Sequence, residues 1–386
     1  MSKLEELILK LCPGGVEFKN LGDVAKFTYG FTGKAQEKGS ARFIRITDIT
    51  EDGNLNPEDA KFIDLTDENK KYLLQAGDLL MARTGATFGK TLYVPTNEPA
   101  IFASFLIKIT LDQSVILNRY YWHFAKSTFF WDQANNLVSK AAQPQFNSNV
   151  LRKIEIPIPP LKIQSEIVRI LDTFTNLISE LNTELILRRK QLQYYRDQLL
   201  TFDSDVEFVS LGDVCKILRG KRLTTKELIK DGQYPVIHGG TSPMGYYDKF
   251  NRKAGTTIVI NTGNAGCVFY IDAEFWSSDA CFSLYPNEKI LDKFLYFVVS
   301  SKEESLKRKI RVAAMPTIDS NAISDLKIPV PPVEKQKKIV DILDRFDKLC
   351  NDLTSGIPAE INARKKQFQY YQDKLLTFSE IKKEPR

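Results

Sequence analysis

The 386 residues carry 43% hydrophobic and 26% charged side chains, a balance that allows two or three folded domains and excludes a largely disordered chain. The 54 basic and 48 acidic side chains leave a formal charge of +6, which permits a polyanionic partner without demanding one. The five cysteines (Cys12, Cys215, Cys267, Cys281 and Cys350) show neither a CxxC pair nor ligand spacing with His123 or His238, so reduced thiols and no metal site are expected.

MSKLEELILKL opens the chain as a short amphipathic helix without the basic start and apolar stretch of a signal peptide. No apolar run approaches the roughly 20 residues of a membrane span, the nearest being Phe294 to Val299. A soluble, cytoplasmic protein is expected. CPGG at Cys12 to Gly15 breaks this helix, and VEFKNLGDVAKF follows from Val16. Alternating apolar runs at Arg42 to Ile46, Leu79 to Ala82 and Ile101 to Ile109 predict strands, and Leu117 to Phe130 predicts a helix. From Ile163 to Leu200 the spacing predicts one long amphipathic helix. Its apolar or aromatic residues stand at Ile163, Ile167, Ile170, Phe174, Leu177, Leu181, Leu185, Leu192, Tyr195 and Leu199, interrupted at Arg188. That is the seam of a helix packed lengthwise on another.

The partner helix is written in the same chain. VEFVSLGDVCKI from Val206 repeats the phrase at Val16, and LKIPVPPVEKQKKIVDILDRF from Leu326 repeats IEIPIPPLKIQSEIVRILDTF from Ile154. ARKKQFQYYQDKLLTF from Ala363 repeats LRRKQLQYYRDQLLTF from Leu187, with an insertion of four residues near Ser355, Gly356, Ile357 and Pro358. Gly356 and Pro358 should break the second helix into segments of about 334–354 and 359–378. Between the repeats, DLLMARTGATFGKTLYV from Asp78 matches TTIVINTGNAGCVFYI from Thr256, each predicting strand, glycine turn, strand. AAQPQFNSN from Ala141 matches AAMPTIDSN from Ala313, and Asp292 to Arg311 predicts a helix. The N-terminal helix ends in LKLC, which holds the position of LLTF before the second globule, so it should dock near Lys374 to Phe378 and make the chain nearly cyclic and pseudo-twofold.

The duplicated IPxPP phrases with Gln164 and Gln336, the RKxQ/YYxxxLLTF helix ends and the two VEFxxLGDV openings resemble the specificity subunits of Type I DNA restriction-modification systems, over essentially the whole chain. The resemblance implies an α+β fold with two mixed, β-rich target recognition domains separated by two long antiparallel coiled-coil helices. The expected bounds are 1–153 for the N-terminal helix and first recognition domain, 154–203 for the central helix, 204–325 for the second recognition domain, and 326–386 for the C-terminal helix, kinked near 355–358. It implies double-stranded DNA, two methyltransferase subunits and motor-nuclease subunits as partners. S-adenosylmethionine, ATP and Mg would then sit on those partners, with no cofactor on this chain. A helix of about 38 residues rises roughly 57 Å, or about 17 base pairs of duplex, enough to act as a ruler between two half-sites. The alternative is a coiled-coil protein-binding scaffold without DNA specificity; a self-sufficient nuclease is the second rival.

Gly85 to Thr91 resembles a phosphate-binding loop but has one residue too few between its glycines and leads into a strand, so a hairpin is expected. Arg83, Thr84 and Lys90 flank that turn, and Asn261, Thr262 and Asn264 are their counterparts; all are candidates for DNA contact, as are Arg42 and Arg45. Arg219, Lys221 and Arg222, with His238 and Tyr246, form the richest polar and aromatic loop set of the second domain. Ile167, Phe174, Leu181, Tyr195, Ile339, Phe346 and Tyr371 are the candidates for helix and subunit docking. No nucleophile elbow, GxGxxG or methyltransferase-like Asn-Pro-Pro phrase occurs, so no catalytic residue is expected.

Overall fold

The computed structural model describes residues 3–138, 146–203, 206–312, 315–352 and 354–381. Two compact units divide the chain: Met1–Glu180 with Ile361–Arg386, and Leu181–Glu360. Unit 1 runs α1 (Lys3–Leu11), β1 (Glu17–Asn20), α2 (Leu21–Val24), β2 (Ala25–Tyr29), β3 (Ala41–Ile44), β4 (Phe62–Ile63), β5 (Leu79–Ala82), β6 (Thr91–Tyr93), β7 (Ala100–Phe102) and β8 (Leu106–Leu111). It continues through α3 (Asn118–Phe124), α4 (Thr128–Leu137), α5 (Ser148–Leu151) and β9 (Glu155–Ile158) into the long α6 (Leu161–Leu199). Unit 2 runs β10 (Phe208–Ser210), α7 (Leu211–Val214), β11 (Cys215–Arg219), β12 (Tyr234–Ile237), β13 (Gly245–Tyr247), β14 (Thr256–Ile260), β15 (Val268–Ile271), β16 (Trp276–Ser277) and β17 (Cys281–Pro286). It closes with α8 (Asp292–Ser301), α9 (Glu303–Lys307), α10 (Ser320–Ser324), β18 (Lys327–Pro329), α11 (Val333–Asn351) and the first turn of α12 (Ile357–Leu376).

The sequence repeat is a repeat of topology. The antiparallel sheet β2-β8-β5-β6 has its counterpart in β11-β17-β14-β15. The small sheet β4-β3-β7 matches β13-β12-β16, each with one antiparallel and one parallel pairing. The β1-β9 ladder, which joins the VEF phrase to the IPIPP phrase, matches β10-β18. Alternation puts the two faces of β5 into different cores: Leu79 and Met81 pack with the helices, Leu80 and Ala82 with the small sheet. In β14, Val259 faces the helical core while Ile258 and Ile260 face the other.

The two diagnostic glutamines have a defined task. Buried Gln164, in the first turn of α6, accepts from Leu117 N–H at 2.9 Å and donates to the Val115 and Pro159 carbonyls at 2.9 and 2.8 Å. Gln336 repeats this on Leu291 N–H (2.9 Å) and the Lys289 and Pro331 carbonyls (2.7 and 2.8 Å). Each side chain thus caps the helix that follows the sheet and ties it to the proline turn.

In unit 1 the Phe174 ring stacks on Tyr371 at 5.4 Å; in unit 2 Tyr195 stacks on Phe346 at 5.5 Å. The same Phe and Tyr repeat positions are used with the helices exchanged. Ile167 and Ile339 are buried at equivalent positions, and Leu181 is half-buried. Unit 2 shows the antiparallel sense directly, for Tyr195 meets Phe346 while Arg188 and Arg189 act electrostatically on Cys350. Helix α1 docks as expected: Leu4 is buried in one core with Leu376, and the Val16 N–H donates to the Ser379 carbonyl at 2.9 Å.

Several expected boundaries shift. The 117–130 helix breaks at Ala125 to Ser127, where the Ser127 hydroxyl accepts from Phe130 N–H and starts α4. The 292–311 helix breaks at Lys302 and ends at Lys307, and the 101–109 strand divides into β7 and β8. Leu171 rather than Ile170 carries the buried seam position. The second long helix does break at the insertion, between Asn351 and Ile357. There Asp352 accepts from the N–H groups of Thr354 and Ser355, and a Cβ at Gly356 would overlap the Lys348 and Asp352 carbonyls. The matched phrases at 141–145 and 313–314 lie outside the described residues.

Candidate nucleic-acid interface

In each unit the chain leaves the large sheet through a glycine to build the small one. A Cβ on Gly30 would overlap the Phe102 and Ala103 carbonyls, and one on Gly220 those of Ser277 and Ser278, so only glycine lets the two sheets approach there. The candidate contact residues cluster around these exits and around the β5-β6 and β14-β15 turns.

In unit 1 most candidate cations are already engaged. Arg42, on β3, donates to the Asn56 carbonyl. Arg45 pairs with Asp48 at 2.8 Å and Asp59 at 3.3 Å, and its hydrogen bond to Asp48 is the main reason its pKa is raised further. Lys90 pairs with Glu51 at 2.5 Å, and Lys61 with Glu37 and Asp59, both at 2.7 Å. Arg83 differs. Its Nε donates to the Ser104 carbonyl at 3.0 Å, and its guanidinium lies 5.2 Å from the Tyr29 ring and 5.4 Å from Phe105, both exposed. An arginine flanked by two accessible aromatic rings suits stacking and phosphate contact together.

The turn after Arg83 is a 3-10 turn at Gly85–Thr87 followed by β6, a hairpin as expected. Thr84 and Asn261 are 7% and 5% exposed; they are not repeat equivalents, for Thr84 aligns with Thr262 and Arg83 with Asn261. At this turn Arg83 rather than Thr84 keeps accessible surface in the first globule, and Thr262 rather than Asn261 does so in the second.

Unit 2 brings its candidates together. Asn264 N–H donates to the Gly239 carbonyl at 2.9 Å, so the turn of Thr262 and Asn264 stands beside His238. Arg219 donates to the Asp279 carbonyl at 2.9 Å and remains exposed; Tyr246 is exposed on β13. Lys221 and Arg222 are exposed with no acidic partner among the described residues, as are Lys226, Lys230, Lys249 and Lys253. The sequence reading missed Tyr29 and Phe105 because nothing local marks an aromatic as exposed. It missed the last four lysines because they stand singly in the segments that flank β12 and β13, with no motif to mark them.

The family described as Type I restriction modification DNA specificity domain matches residues 13–188 and again 203–363. The chain belongs to this family. A Mycoplasma pneumoniae protein named as a type I specificity subunit is 40% identical over 247 residues, covering 60% of this chain and 96% of its own. The specificity subunit of the Escherichia coli type I restriction enzyme EcoR124I/EcoR124II is 35% identical over 287 residues, 66% of this chain and 70% of its own. The solved S subunit of a type I restriction-modification system from M. genitalium shares the fold, with TM-score 0.61 and 15% identity over 94% of this chain and 96% of that one. The two family matches fall on the two globules of equal strand order and favour the DNA reader over the protein scaffold.

The two specificity globules differ most in charge. From Gly30 to Asp64 there are five basic and seven acidic residues; from Arg219 to Lys253 there are eight basic and three acidic. The second segment alone therefore carries nearly the whole positive surplus of the chain.

Cys215 and Cys281 have thiol pKa values pushed up to about 12 by burial, which makes both poor nucleophiles, and all five cysteines are free. Among the described residues no group of three or more His, Cys, Asp or Glu side chains converges as a metal-binding set, and no helix is long and apolar enough to cross a membrane.

Proposed function

We propose that this chain is the sequence-reading, non-catalytic subunit of a cytoplasmic Type I restriction-modification complex. Each globule reads one half of an asymmetric bipartite site on double-stranded DNA, and the long helices set the unread spacer. The same helices dock two methyltransferase subunits, and motor-nuclease subunits complete the assembly. S-adenosylmethionine, ATP and Mg belong to those partners, and this chain holds none of them. The observation that carries the reading is duplication with divergence: two globules of one topology, each matched by the DNA specificity family, bear segments of opposite charge balance. Different loops on equal scaffolds fit two different half-sites. Docking on the helices is supported by Tyr194 and Tyr370, repeat-equivalent tyrosines that are 61% and 62% exposed.

Replacing residues 16–153 by the corresponding domain of another family member tests the proposal. The methylation motif should change in one half and keep the other half and the spacer. A motif altered in both halves, or in neither, would overturn it.

A further inference from the structure

Beyond the glutamine, each globule meets its long helix through a second repeated construction. Asp172 lies on α6 two turns past Gln164. It accepts from Arg119 Nε at 2.9 Å and meets His123 Nε2 at 2.8 Å. The Arg119 guanidinium stands 3.9 Å from the Trp122 ring centroid and 4.7 Å from that of Tyr93. In unit 2, Asp344 lies two turns past Gln336. Lys293 Nζ is 3.3 Å from Asp344 and 3.6 Å from Asp347, and 4.0 and 5.2 Å from the Tyr270 and Tyr296 ring centroids.

These positions correspond one for one in the repeat. The cation sits in the first turn of α3 or α8, one aromatic wall follows it by three residues, the other comes from β6 or β15, and the carboxylate comes from the long helix. Arginine has become lysine and tryptophan has become tyrosine. The combination of cation, aromatic wall and carboxylate persists through both changes, which packing alone would not require.

Gln and Asp stand eight residues apart on each long helix, about 12 Å along its axis. One anchor fixes a point and leaves the globule free to tilt; two fix the tilt. The second anchor is directional, because a charge-assisted bond against aromatic rings tolerates less rotation than apolar contact. Base contacts need side chains held to about 0.5 Å, so a small tilt suffices to weaken them.

We propose that Arg119–Asp172 and Lys293–Asp344 are positioning pairs that set the tilt of each recognition globule on its helix and thereby the discrimination at its own half-site. The inference rests on the DNA-reading function above.

Methylation mapping in cells carrying the full chain with its methyltransferase partner provides the test, using Asp172→Asn, Lys293→Met and Lys293→Arg. Asp172→Asn raises methylation roughly tenfold at sites with one mismatched base in one half only. Lys293→Met does the same for the other half, and Lys293→Arg, which keeps charge and stacking, retains wild-type discrimination. A general loss of stability would instead lower methylation at all sites together. That result overturns the inference, as does an equal rise in both halves or no rise with the variant accumulated normally. Should Asp172→Asn fail to accumulate, the two Lys293 variants decide alone. If the unsubstituted chain yields no bipartite motif, the DNA-reading function itself is refuted and the positioning role falls with it.

Discussion

The charge difference between the globules makes a quantitative prediction about salt. Lys221, Arg222, Lys226 and Lys230 are exposed and have no acidic partner among the described residues, whereas Arg45, Lys61 and Lys90 are neutralised by Asp48, Asp59, Glu37 and Glu51. If each of the four free cations meets one phosphate, replacing all four by glutamine lowers the slope of log affinity against log salt by about 3.6, at about 0.9 per phosphate. Between roughly 50 and 200 mM salt, the unsubstituted chain then loses about 150-fold more affinity than the variant. In unit 1, Lys34 and Lys38 are the comparable exposed cations, and replacing both lowers the slope by at most about 1.8. Fluorescence anisotropy on a labelled duplex carrying the motif, with the methyltransferase partner present, measures both slopes. An unchanged slope in the fourfold variant, or a larger change from the unit 1 pair, would refute the argument.

Gln164→Leu leaves the Leu117 N–H and the Val115 and Pro159 carbonyls without their partner, and should reduce stability by about 2 to 4 kcal/mol in urea unfolding; a loss below about 0.5 kcal/mol would contradict the capping role. His123 is buried among Trp122, Phe368, Asp172, Arg119 and Lys126. Burial brings its pKa down from 6.5 to about 4 despite the hydrogen bond to Asp172. The folded state therefore binds fewer protons than the unfolded one, and the stability linked to His123 is intact above pH 6.5 and is lost as pH falls towards 4. The loss amounts to at most about 3 kcal/mol. His123→Phe should flatten this part of the pH profile in thermal unfolding, and an equally steep profile would count against it. Inserting four residues near Leu181 should lengthen the unread spacer and leave both half-sites intact; altered half-site bases would show that the helices are not a spacer.

Much of the fold is legible because the chain states it twice. The VEF and IPxPP phrases recur and pair with each other as β1-β9 and β10-β18, and the seam residues Phe174, Tyr195, Phe346 and Tyr371 meet as stacked rings. The break at Gly356 follows from local backbone chemistry, which sequence carries directly. The interface is less legible. Lys90 looks like a free cation until a distant segment delivers Glu51 to it, and Arg45 until the turn after β3 folds Asp48 back onto its guanidinium. Thr84 and Asn261 flank a turn that invites contact, but β5 and β14, which lead into it, are buried on both faces, so alternation carries no sign of which side chains past the strand are covered. The cation and aromatic construction around Arg119 and Lys293 draws on three separated segments in each unit, so no single stretch of sequence announces it.

The most direct measurement of the central claim is a genome-wide map of methylated adenines and cytosines in cells carrying this chain with its neighbouring methyltransferase, compared with cells lacking only this chain. A two-part motif of fixed spacing that disappears with the chain is the expected result. An identical map in both, with the chain expressed and the methyltransferase active, would contradict the account.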